Sequence, residues 1–160
     1  MKSSKSCENL INLINQSTKS ILQVIDNFIV KIESEKLKKL TSNKINEYDL
    51  IIEECKMIMK DFDKTPEDMC FFDKYQNLIS LKLSSLKKIT DFDICENIYL
   101  AISETMPDLY KELNCLDDEK KLLLKLIEIN EDYLANLKPL FRIEDLKSSF
   151  FILKCINFML

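Results

Sequence analysis

FFILKCINFML, residues 150–160, closes the stretch 141–160, and its reading sets that of the whole chain. Only Lys154 and Asn157 interrupt its apolar side chains. Wound at 3.6 residues per turn, those side chains fall on every side of the cylinder, and such a helix must be buried all round. Spanning a bilayer takes about 20 residues of this kind, so the segment is too short to cross one. The expectation is a short C-terminal helix enclosed by neighbours whose apolar residues form single stripes.

Composition fits that picture. At 160 residues the chain matches one helical domain, 1–160, with a sizeable core. Glycine is absent, which removes phosphate-binding loops, dinucleotide fingerprints and glycine hairpins. Left-handed positions then fall to asparagine, with Asn43 and Asn114 the candidates. Histidine is also absent, which excludes Ser-His-Asp and Cys-His nucleophile pairs and zinc sites containing histidine. No cofactor and no metal is expected. The net charge is −4, and Arg142 is the only arginine among 23 basic residues, so no nucleic-acid partner is expected. Lys2 and Lys5 resemble the start of a leader, but the polar residues from Asn12 to Thr18 spoil any apolar region behind them. The six cysteines (Cys7, Cys55, Cys70, Cys95, Cys115 and Cys155) contain no C-x-x-C pair, and most sit on or beside apolar helical positions. They read as reduced thiols in a cytoplasmic protein.

Working back along the chain, Ile11, Ile14, Ile21, Ile25, Phe28 and Ile32 predict an amphipathic helix over 7–40, with a break near Gln16–Ser17. Thr41, Ser42 and Asn43 are cap candidates for a second helix. That helix carries Ile45, Tyr48, Ile52, Cys55, Met59 and Phe62 and ends near 61–64. Thr65-Pro66-Glu67-Asp68 opens a third helix, closing at Lys87-Lys88, and Thr90-Asp91-Phe92-Asp93 a fourth. Pro107 ends the fourth and begins a short fifth. Leu123, Leu126, Ile127, Asn130, Leu134 and Leu137 mark a sixth. The fold class is all-α: a compact bundle of about seven helices around the apolar C-terminal one.

Asp61/Asp63 and Asp91/Asp93 lack the glycine and further oxygen ligands of a calcium loop and read as helix-end charges. The carboxylates Glu53, Glu54, Glu128, Glu131 and Asp132 form a solvated face, and no catalytic residue is assigned. Asn130 lies on an apolar stripe, either at its edge or as a register-setting residue in an oligomer seam. Met57, Met59, Phe62, Met69, Phe71 and Phe72 crowd one corner with more apolar side chains than one stripe can bury. Ordinary core is the plain reading of this corner, and an adaptable protein-binding surface the functional one.

Residues 20–29 (SILQVIDNFI), 57–63 (MIMKDFD) and 69–79 (MCFFDKYQNLI) resemble the poxvirus Bcl-2-like proteins. In that family an early amphipathic helix precedes one ending near Phe-Asp, a Phe or Tyr cluster follows, and an apolar helix closes the chain. The present chain departs from it in having neither glycine nor tryptophan. The resemblance implies a non-enzymatic protein that binds host apoptotic or innate-signalling proteins through a helix-receiving groove or helical surface. The alternative is a structural subunit that forms a homodimer or larger assembly through the stripes of its first two helices.

Overall fold

The structure is a computed structural model that describes residues 4–67, 88–113 and 120–140. Among these residues there is no strand, and there are four α-helices rather than the expected total of about seven. They are α1 (Ser4–Phe28), α2 (Glu35–Lys60), α3 (Asp91–Glu112) and α4 (Lys120–Leu137). Thr65, Pro66 and Glu67, the expected opening of the third helix, are not helical; residues 68–87 and the closing stretch 141–160 lie outside the described residues.

α1 packs against α2 and α3, and α4 closes onto α2 and α3. One core joins them, built on Ile11, Ile14, Ile21, Ile25 and Phe28 of α1, Ile51 and Cys55 of α2, Ile98 and Ile102 of α3, and Leu123 and Leu126 of α4. Each buried side chain of this size stabilises the fold by about 1.5–3 kcal/mol relative to exposure.

Helix boundaries differ from the sequence reading at three places, each for a local reason. α1 runs unbroken through Gln16 and Ser17. There the Thr18 hydroxyl donates to the Ile14 carbonyl at 2.8 Å, so a buried polar side chain is satisfied inside the helix. The break falls instead at 32–34, between a short 3-10 turn (Ile29–Lys31) and α2, and Ser34 caps α2 by accepting from Leu37 N. What fixes this corner is remote. The Asp91 carboxylate accepts the backbone N–H of Glu33 at 2.9 Å and that of Ser34 at 2.7 Å. Hydrogen bonds to a charged acceptor contribute about 1.5–3 kcal/mol each. Thr41, Ser42 and Asn43 therefore lie within α2 and cap nothing.

The third difference is Pro107, which sits inside α3 and does not divide it. Proline in a helix interior costs about 3 kcal/mol. Met106 and Leu109 flank it and are both buried, and keeping them in the core offsets that cost. At its other end α3 begins as expected. The Thr90 hydroxyl accepts from Asp93 N, and the Asp93 carboxylate accepts from Thr90 N at 2.8 Å, a reciprocal capping box.

All six residues from Ile94 to Tyr99 are buried, and six consecutive positions cover the whole circumference of a helix. The N-terminal half of α3 is thus enclosed on every side, as is the stretch of α1 from Ile14 to Thr18, where five consecutive residues are buried. The α3 stretch carries Glu96 and Asn97 among its apolar residues, which hides it from a search for unbroken hydrophobic runs.

Candidate functional site

α2 ends in a turn whose hydrogen bonds are complete. Asp63 N donates to Lys60 O at 3.0 Å, and Lys64 N to Met59 O at 3.1 Å. Asp63 takes the left-handed conformation this geometry requires, with φ 54°. In a chain without glycine an aspartate, not an asparagine, fills the position. Asn43 lies inside α2, and Asn114 is outside the described residues.

Residues beyond this turn cross back over α1. Lys64 Nζ meets Glu8 Oε2 at 2.5 Å. The Glu67 backbone N–H donates to Asn12 Oδ1 at 2.9 Å, and the Asn15 side-chain amide donates to the Glu67 carbonyl at 3.1 Å. A cleft of about 660 Å³ remains between these parts, lined by Glu8 and Asn12 of α1, Met59 and Lys60 of α2, and Asp63, Lys64, Thr65 and Glu67. Its wall at Met59 is apolar and its rim carries both signs of charge.

Of the six corner residues, the three described ones, Met57, Met59 and Phe62, do not share one surface. Met59 is 1% exposed and belongs to the core and the cleft wall, whereas Met57 is 70% exposed. Two residues apart on a helix is 200°, so their side chains diverge. Phe62 is half-buried in the turn. Met69, Phe71 and Phe72 lie outside the described residues.

A second polar constellation lies between α2 and α4, which run antiparallel. Tyr48 Oη donates to Asn130 Oδ1 at 2.8 Å, and Tyr133 Oη to Thr41 Oγ1 at 3.0 Å. The two tyrosine rings meet with centroids 6.5 Å apart. The Lys44 ammonium sits 2.5 Å from Asp132 and 2.9 Å from Glu47, and Lys125 pairs with Glu54 further along. Asn130 is fully buried, so it lies at the centre of the stripe and not at its edge, and its partners belong to the same chain.

The sequence reading missed Thr41, Lys44 and Tyr133. The available signal was spacing: Thr41, Lys44 and Tyr48 are three and four apart, on the same face as Ile51 and Cys55.

The electrostatics of this seam favour fixed protons. Burial raises the Tyr48 hydroxyl well above its usual pKa, with Tyr133 and Glu47 adding to the effect. Burial likewise raises Tyr133. Burial alone would lower the Lys44 ammonium, but Asp132 and Glu47 more than offset it and hold it above the ordinary lysine value. Cys55 and Cys95 are pushed up to about 12, by burial first and then by Glu54 and Asp91 respectively. Such thiols stay protonated and are poor nucleophiles.

Each aspartate of the two pairs has a structural duty. Asp61 and Asp63 end α2, Asp91 clasps the α1–α2 corner, and Asp93 completes the capping box. Among the described residues no group of three or more His, Cys, Asp or Glu could hold a metal ion, and no helix is long and apolar enough to cross a membrane. No protein-family model, curated protein or solved structure matches the chain.

Proposed function

We propose that the chain is a non-enzymatic helical module that works by contact with another protein, and that the cleft end of α2 is its contact region. The observation that carries this reading is the exposure of Met57, a flexible apolar side chain 70% exposed, on the helix whose last turn lines a charged-rim cleft. The protonated state of the Cys55 and Cys95 thiols agrees with a role that needs no nucleophile.

The finer form of the proposal is a viral Bcl-2-like modulator of host apoptotic or innate immune signalling, acting in the cytoplasm. It is supported by an amphipathic α1 followed by an α2 that ends at the Phe62-Asp63 turn, the order that carried the resemblance. The alternative, an assembly subunit pairing through its first two stripes, has less support. Ile11, Ile14, Ile21, Ile25, Tyr48, Ile52 and Cys55 are buried within the chain itself.

The test is partner capture by the unsubstituted chain and by a Met57→Glu, Phe62→Ser variant, with helix content followed by circular dichroism. The expected result is loss of partner with helix content retained. Equal recovery by both proteins overturns the assignment of the contact region.

A further inference from the structure

We propose that Thr65 is a phosphorylation site for a proline-directed protein kinase, and that Lys60 and Lys64 receive the added phosphate. The inference goes beyond the contact reading and stands without it.

Thr65-Pro66 is the one place in the chain where serine or threonine precedes proline; Pro107 follows Met106, and Pro139 follows Lys138. Three hydroxyl residues among the described ones lie outside the helices: Ser34, Thr65 and Thr90. Ser34 accepts from Leu37 N and Thr90 from Asp93 N, so both are committed as helix caps. Thr65 is exposed, and its hydroxyl takes no hydrogen bond among the described residues.

The backbone suits a kinase, which takes its substrate hydroxyl from an extended segment. Proline restricts the residue before it to extended conformations, and Thr65 is not helical. The segment emerges from the completed turn at Asp63. Its far end is fixed, because the Glu67 N–H donates to Asn12 and the Glu67 carbonyl accepts from Asn15. Thr65 is thus offered to solvent between two anchored ends. In the transfer, the Thr65 oxygen bonds to the γ-phosphorus of ATP, and the bond from that phosphorus to ADP breaks. The hydroxyl proton passes to the catalytic aspartate of the kinase.

Lys60 and Lys64 line the same cleft as Thr65. Lys60 has no ion-pair partner among the described residues. Lys64 meets Glu8 at the surface, with its side chain 52% exposed, where such a pair is weak. A phosphate carries a charge of about −1.5 to −2 and three acceptor oxygens, so it draws both ammonium groups more strongly than the single Glu8 carboxylate does. Asp63 and Glu67 on the same rim repel it, which gives the two lysines their role.

The folded full chain, a mitogen-activated protein kinase and Mg-ATP make the test. Mass spectrometry should find a single phosphate on Thr65, absent from Thr65→Ala and strongly reduced in Pro66→Ala, with helix content unchanged by circular dichroism. No phosphate on the folded chain, labelling of Thr65 only after unfolding in urea, or undiminished labelling of Pro66→Ala overturns the site. In the phosphorylated chain, phosphorus NMR follows the second phosphate ionisation, which lies at about 6 for an unrestrained group. Its pKa should be higher in a Lys60→Gln, Lys64→Gln protein than in the chain with both lysines. Equal values overturn the lysines as phosphate partners.

Discussion

The α2–α4 seam and the attachment of residues 64–67 to α1 are built from similar parts, yet they differ in burial. Both join α2 or its extension to another helix through an ion pair and side-chain amides. In the seam, Tyr48, Asn130 and Tyr133 are inside the core, where an unpaired polar group costs about 1–3 kcal/mol. At the α1 attachment, Lys64 and Thr65 face water, which replaces any lost partner at little cost. The same chemical vocabulary thus serves a buried seam in one place and a surface attachment in the other.

Alkali should separate the two regions most strongly. Cys55, Cys95, Tyr48 and Tyr133 hold their protons more tightly in the folded chain than in the unfolded one. Their stabilisation is complete below the unfolded values, 9.0 for the thiols and 10.0 for the phenols. It is lost as pH rises through the folded values, about 12 for the thiols. Denaturant midpoints should therefore hold between about pH 7 and 8 and fall above about pH 9. A midpoint that climbs above pH 9 would contradict the buried character of the seam.

The next largest effect concerns Lys44. Removing both of its partners, with Glu47→Ala and Asp132→Ala, leaves a buried ammonium uncompensated and should cost about 3–5 kcal/mol in chemical denaturation. Lys44→Met leaves two carboxylates that already reach solvent, with side chains 42% and 57% exposed, and should cost at most about 1 kcal/mol. Equal losses in the two proteins would erase that asymmetry. The smallest effect belongs to the turn at Asp63. Asp63→Gly relieves a left-handed aspartate and should raise stability by about 0.5–1 kcal/mol, seen as a small increase in Tm.

Much of the fold was legible because it is periodic. The stripes of α1 and α4 and the Thr90 cap follow from spacing alone, and the structure buries or bonds those residues; of the α2 stripe it buries Tyr48, Ile52, Cys55 and Met59 and leaves Ile45 and Phe62 half-buried. The α1–α2 boundary was not legible, because its decisive partner, Asp91, lies 57 residues from Ser34, and local cap grammar pointed to Thr41 instead. Pro107 was misjudged because its penalty is local, while the burial of Met106 and Leu109 that outweighs it is tertiary. At the candidate site, the end of α2 near 61–64 was visible in the sequence. The clasp of Glu67 by Asn12 and Asn15 joins positions 55 and 52 apart and leaves no periodic trace.

The clasp of Asp91 on Glu33 and Ser34 also sets an order of events during synthesis. Ser34 leaves the ribosome 57 residues ahead of the carboxylate that secures it. At about 5–20 residues per second, the nascent hairpin waits roughly 3–11 s before its bend can be locked. Throughout that interval the apolar stripe of α1 lacks α3, which later packs against that helix, and a chaperone has its clearest opportunity to hold the unfinished chain.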